Sequence, residues 1–149
     1  ITMSASNAFE TSLLGLIMTN VDAANVGDAT GLRGSTTAGV FWISLTVSPG
    51  HTEAGDQTTN ETVYTNYARQ DEARNVTQWT VTGDTCDNDN AIGFPTCGAT
   101  GATLFGFGLG SATSGAGNLF LIGDLTATLA VSNGITPSFA AGALDIVLA

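Results

Sequence analysis

The stretch that most constrains the fold is the last third of the chain, residues 118–149, NLFLIGDLTATLAVSNGITPSFAAGALDIVLA. Leu125, Ala127, Leu129 and Val131 alternate with Thr126, Thr128 and Ala130, the period of two expected of a strand with one buried face. Asn133-Gly134 is a turn dipeptide, because both residues tolerate positive φ at little cost. Ala141-Gly142 punctuates a second apolar run in which Leu144, Ile146 and Leu148 share a face and Asp145 points the other way. The stretch reads as strand, turn, strand, with its end tied into a sheet rather than trailing as a tail. It is scaffold, and most of the chain reads the same way.

At 149 residues the chain predicts a single domain, 1–149, with a real core. Charged residues make up 11%, well under the quarter usual in soluble domains, so long charged helices are not expected. The 19 glycines, with abundant Thr and Ala, predict turns and sheet faces of small residues. The net charge is −10, with three Arg, no Lys and thirteen acidic residues. Phosphate neutralisation needs clustered cations, so nucleic acid and anionic membrane surfaces are excluded as partners. No apolar run reaches bilayer length and the start lacks a cationic leader region, so export is not expected.

Along the chain, one helix is predicted over about 7–19. Asn7 can cap it, with Glu10 three residues on, and Phe9, Leu13, Leu16 and Ile17 form a stripe that Leu14 and Met18 widen. Packing across a sheet is its expected role. Residues 21–39 read as a loop with one short helical turn, and a β-rich body is expected over about 40–149. Within that body, VFWISLTVSPG is a strong strand, with Phe41, Ile43, Leu45 and Val47 on one face and Pro49-Gly50 ending it. Trp42, on the other face, could be a contact residue or sit under a loop. Residues 51–62 read as an exposed polar connection. Residues 63–74 support either helix or strand, and the reading is a short helical piece over 61–66, then a strand carrying Tyr67 and Arg69. Residues 75–83 form a strand with Val76, Trp79 and Val81, followed by a turn-like GDTCDNDN and an extended AIGFP. Leu104, Phe105, Phe107 and Leu109 predict a strand whose glycines admit a bulge. Seven or eight short strands plus an N-terminal helix define a mainly β protein, β-sandwich or jelly-roll-like.

The residues offer little chemistry. His51 is the only histidine and has no Cys or second His at metal spacing. The absence of Lys removes a P-loop, a Schiff base and a lysine base together. The run from Gly106 through Gly108 and Gly110 lacks the third glycine offset and the βαβ setting of a dinucleotide site. No serine sits in a nucleophile elbow, so no catalytic residue is assigned and no enzyme is expected. Asp84, Asp87 and Asp89 with Asn88 and Asn90 crowd one loop with oxygen donors suited to Ca²⁺, yet the EF-hand Gly and Glu are missing; a solvated turn is the competing reading, and no cofactor or metal residue is assigned. Cys86 and Cys97 permit one disulfide, stabilising by about 2–3 kcal/mol, or none in a cytosolically made protein. Asn60-Glu-Thr and Asn75-Val-Thr are formal glycosylation sequons without an export context.

Several phrases together resemble a family of small tailed-bacteriophage virion proteins known as phage tail fibre proteins. They are Gly27-Asp28-Ala29-Thr-Gly-Leu32, Ala38-Gly39-Val-Phe-Trp-Ile-Ser44-Leu45, Tyr67-Ala-Arg69, Trp79-Thr-Val-Thr-Gly83, Phe94-Pro95-Thr-Cys97, and the run from Leu129 to Ala143. The likeness covers nearly the whole chain in order. The chain departs from the family's small residue at Cys86 and from a histidine where Leu104 stands, so no disulfide or histidine role carries over.

The resemblance implies a virion protein made in the bacterial host cytoplasm. A long fibre shaft is repetitive, and this chain has neither repeat nor heptads. The expectation is therefore a capsid cement or decoration protein, a homo-oligomer (trimer) clamping neighbouring copies of the major capsid protein through many weak contacts. Residues 98–117, 21–39 and 51–62 are the candidate contact regions. The alternative is a tail fibre or adhesion module binding a host glycan, whose signature would be exposed aromatics beside carboxylates; Trp42, Trp79 and Tyr64 are available.

Overall fold

The computed structural model describes residues 4–24, 26, 27 and 30–148. The chain is mainly β with one N-terminal helix and several antiparallel sheets, consistent with the expected β-sandwich class. Its residues gather into two compact units, one from 1–39, 73–91 and 139–149, the other from 40–72 and 92–138.

The first unit holds helix α1 (Asn7–Thr19) and strands β3 (Trp79–Thr82), β4 (Thr85–Asn88) and β9 (Asp145–Val147), in sheet order β3-β4-β9. The helix spans the predicted residues, but Ser6 is its cap rather than Asn7. Ser6 is extended (φ −92°, ψ 152°) and its hydroxyl accepts from the Phe9 amide. A cap must have non-helical backbone, and Asn7 is already helical. Asn20 ends the helix in the left-handed conformation (φ 60°), with the Val21 amide returning to the Gly15 carbonyl. α1 packs on β3 and β4. Leu14 and Met18, four residues apart, are the apolar side chains it buries, with Thr19 beside them; Phe9 of the predicted stripe is 43% exposed. Leu14 and Met18 join Trp79, Cys86, Leu144 and Ile146 among the unit's buried residues, a buried Leu, Ile or Met side chain contributing about 1.5–3 kcal/mol by leaving water.

The expected turn at 83–90 is mostly strand. Only Gly83-Asp84 turns, with Gly83 at φ 66° in a two-residue hairpin loop. Thr85–Asn88 then pairs with β3 on one side and β9 on the other. Polar composition hid an alternation in which Cys86 and Asn88 point inward. Asn88 can be buried because its amide is fully used: Nδ2 donates to the Asn90 and Ala140 carbonyls at 2.7 and 2.9 Å, and Oδ1 accepts from the Leu144 amide at 2.8 Å. Leu144 and Ile146 turn inward and Asp145 outward, as the sequence predicts. No helical turn occurs among the described residues of 21–39, where Ala23 and Leu32 form an isolated bridge; Asp28 and Ala29 of that loop lie outside the described residues.

The second unit is organised by a four-stranded sheet of β1 (Val40–Thr46), β2 (Gln70–Ala73), β6 (Ala102–Gly110) and β7 (Leu119–Val131), ordered β2-β1-β6-β7. A two-stranded sheet of β5 (Ile92–Gly93) and β8 (Ser138–Phe139) accompanies it. Phe41, Ile43 and Leu45 are buried as predicted, and so are Ser44 and Thr46 on the opposite face, since β1 is interior. β6 pairs with β1 through Ile43↔Leu109 and Leu45↔Phe107, and its register against β7 slips between Leu104 and Gly106, the predicted bulge.

Three expectations are corrected here. The helical piece over 61–66 is absent: Glu61 bridges Thr46 and the chain turns at 65–66, while Tyr67 and Arg69 precede β2 rather than lying in it. The connection 51–62 is not merely exposed, since Gln57 and Thr62 are fully buried. Asn133-Gly134 turns with positive φ only at Gly134 (87°), and it joins no hairpin, because β7 pairs with β6 while β9 pairs with β4.

Candidate functional site

The three arginines mark where this acidic chain uses its cations. Arg69 is buried and grips Glu61 with two prongs, Nε to Oε1 and Nη2 to Oε2, both at 2.7 Å. Its remaining donors reach the Ala112 carbonyl at 2.8 Å and the Gly115 carbonyl at 2.9 Å. The Tyr67 hydroxyl donates to Glu61 Oε1 at 2.9 Å and accepts from the Leu45 amide at 2.9 Å. Burial pushes that phenol far above its usual range, opposed by the Leu45 amide. The Glu61 hydrogen bonds hold the Arg69 guanidinium charged against the cost of burial. Gln57 completes the anchor, donating to the Trp42 carbonyl at 3.0 Å and accepting from the Ala112 amide at 2.9 Å. Loop 111–117 is thereby tied to the sheet from below.

Arg74 does the same for α1. Its guanidinium donates to the Ile17, Leu16 and Ala38 carbonyls at 2.6, 2.8 and 2.8 Å. The last turn of the helix carries no cation of its own, so Arg74 supplies the positive charge its terminal carbonyls favour. Arg33 lies 3.8 Å from Asp22 at the surface.

His51 is packed rather than free in a loop. Its Nε2 lies 2.8 Å from the hydroxyl of fully buried Ser44, and burial lowers its pKa, partly countered by the Glu61 charge. The ring rests on Gly108, where a β-carbon would stand 2.6 Å from His51 Cδ2. At Gly106 a β-carbon would lie 2.6 Å from the Gly123 carbonyl. The glycines of the GFGLG run thus let loop and neighbouring strand approach β6 closely. His51 also lines a shallow cleft of about 210 Å³ with Pro49, Ile122, Gly123 and Asp124. With Ser44 fully buried beneath it, the ring packs loop 51–62 onto β1 and β6.

The acidic loop is divided by β4. Asn88 turns inward, Asn90 donates to the Thr77 carbonyl, and Asp84 accepts from the Thr85 hydroxyl at 3.3 Å. Asp87 faces Asp145 directly across β4 and β9, and their shared hydrogen bond raises the Asp87 pKa. Among the described residues no three His, Cys, Asp or Glu side chains converge as a metal site. Cys86 and Cys97 are both buried, free thiols, one in each unit. The Cys97 sulfur lies 3.4 Å from the Thr100 carbonyl.

The aromatic residues expected of an adhesion surface are mostly inside: Trp79 is 1% and Tyr64 2% exposed, and Trp42 is half-buried. Of segment 98–117, residues 102–110 form an interior strand, leaving 99–101 and most of 111–116 at the surface. Exposed apolar side chains are scattered, Val63 and Val76 standing out at 88% and 63%, and β7 carries three of them. Phe120, Ile122 and Leu129 are 52%, 42% and 40% exposed, and residues 126–130 are exposed on both faces. The predicted buried face of Leu125, Ala127, Leu129 and Val131 exists only at Val131 and, in part, Leu125. The missed elements share a signal: in a chain with three cations, two of them, Arg69 and Arg74, have fixed internal tasks.

The fold and these networks define a β-rich scaffold in which charged side chains anchor loops and a helix end. Its kind is given by comparison: the family model described as Podophage GP4 fiber I protein gp80 matches residues 4–147, and the chain belongs to that family. It is a phage fibre structural protein and hence a virion component, which agrees with the resemblance and favours the fibre alternative over shell cement. A comparison with curated proteins finds no match.

Proposed function

We propose that this chain is a non-enzymatic structural module of a phage fibre, built into the particle through contacts of its β-rich body. The observation that carries this reading is the family match over residues 4–147, which spans both units and every strand. The anchored loop 111–117 and the pinned end of α1 suit a rigid building block, since neither depends on a bound group. With Trp79 and Tyr64 buried, aromatic stacking on a host glycan draws little support, and a part in fibre construction is the better reading. Immunogold labelling of purified particles with antibody against this chain tests it. Label along fibres supports the proposal; label spread over the head would return the cement reading, with the major capsid protein as partner.

A further inference from the structure

Gly106, Gly108 and Gly110 of β6 stand opposite Thr46, Ser44 and Trp42 of β1, so all six residues share one face of the sheet. The glycines form a groove along the strand, and loop 51–62 lies in much of it. A β-carbon at Gly110 would strike the Gln57 side chain, and one at Gly108 would strike the His51 ring. At Gly106 the surroundings change. The three atoms nearest to a β-carbon there are all oxygens: the Gly123 carbonyl at 2.6 Å, Thr46 Oγ1 at 3.0 Å and Asp124 Oδ1 at 3.2 Å. Thr46 and Asp124 are the residues paired with Gly106, one from each flanking strand.

Two of these oxygens lack a counterpart. Thr46 is fully buried, yet its hydroxyl has no hydrogen-bond partner among the described residues, a costly arrangement. Asp124 is the only charged residue from 90 to 144. No arginine answers it, since Arg69 is held by Glu61, Arg74 by three carbonyls, and Arg33 stands beside Asp22. Gly123 and Asp124 also line the cleft of about 210 Å³ with Pro49, His51 and Ile122. Ser44 engages Nε2 of His51, so the oxygens set the chemistry.

A carboxylate and a carbonyl only accept, and a hydroxyl can present its lone pairs, so the group that satisfies all three is a cation. Oxygen donors select a hard ion. An irregular set of carboxylate, hydroxyl and main-chain carbonyl suits Ca²⁺, which accepts loose geometry and completes its shell with water, better than it suits Mg²⁺. The cleft is smaller than the usual organic-ligand pocket and has room for an ion with its waters. We propose that Thr46 Oγ1, Asp124 and the Gly123 carbonyl form a Ca²⁺ site that ties β7 to β1 across Gly106. The net charge of −10 draws cations to the chain. With a single carboxylate, the dissociation constant is on the order of 10⁻⁴–10⁻³ M. Gly106 makes the site possible, because any side chain there would stand among the donors.

The site is independent of the fibre reading and is tested on the purified full chain. Calorimetric titration with CaCl₂ is expected to show one site in that range, and excess Ca²⁺ is expected to raise the melting temperature. Asp124→Asn weakens binding by roughly tenfold or more and removes the thermal gain. Thr46→Val keeps the shape and removes the unpartnered hydroxyl. That variant is therefore at least as stable without Ca²⁺, yet binds it several-fold more weakly. Asp89→Asn, in the acidic stretch of the other unit, leaves binding as it was. No heat of binding up to about 10 mM Ca²⁺, or an equal thermal gain from Na⁺ at matched ionic strength, would overturn the proposal. So would binding indifferent to Asp124→Asn or Thr46→Val, or binding lost in Asp89→Asn.

Discussion

Arg69 and Glu61, eight residues apart, meet in a two-pronged ion pair of 2.7 Å at each prong, with the arginine side chain 2% exposed. The pair joins loop 51–62, the segment leading into β2 and loop 111–117, so three connections of the second unit share one charge contact. Removing one partner leaves the other buried and uncompensated. Arg69→Met is expected to destabilise by about 3–5 kcal/mol and to expose loop 111–117 to protease. Arg69→Lys recovers little, because an ammonium cannot span both carboxylate oxygens and the two carbonyls. Urea unfolding with limited proteolysis reads both effects.

Arg74 predicts a more local loss. Without its guanidinium the Leu16, Ile17 and Ala38 carbonyls lose their charged donor. Arg74→Gln should cost about 1–3 kcal/mol and speed amide hydrogen exchange in the last turn of α1 ahead of the strands. Uniform acceleration over the chain would contradict a local capping role.

The Asp87–Asp145 pair predicts a pH effect of defined sign. The shared hydrogen bond raises the folded pKa of Asp87 above the ordinary 3.8, with desolvation and the Asp145 charge adding to it. The folded state then binds more protons than the unfolded state between the two values, and stability from this pair is present below 3.8 and lost as pH rises through the raised folded value. Asp87→Asn should therefore raise the melting temperature at pH 7 and lose that advantage near pH 3. A gain equal at both pH values would sink this account.

Gly108 and His51 are predicted to couple. Gly108→Ala forces the new methyl against His51 Cδ2, an overpacking cost of about 1–3 kcal/mol. In His51→Ala the same glycine substitution should be cheaper, though the contact with Leu119 Cδ1 at 2.6 Å remains, and a double-mutant cycle measures the difference. Additive effects would mean that Gly108 answers to something other than the ring.

What the sequence made legible follows from how local each signal is. Helix α1, β1, β6 with its bulge, and the inward row of Leu144 and Ile146 are written in short-range periodicity. The cap shifted from Asn7 to Ser6 because both residue types can cap and only the backbone decides. β4 was hidden because an inward Asn88 looks like a turn residue until three long-range partners account for its amide. The apolar stretch of β7 foretold a strand but not its uncovered faces, since burial depends on what the fold lays against it. The roles of Arg69, Arg74 and Gln57 depend on loops distant in sequence, and no local spacing encodes them.

The measurement that bears most directly on the central claim is the number of copies of this chain per particle, set against the major capsid protein by quantitative mass spectrometry of purified virions. The fibre account predicts a small multiple of copies per particle, removed when fibres are sheared off. A ratio near one to one with the capsid protein, retained on fibreless heads, or absence of the chain from particles would contradict it.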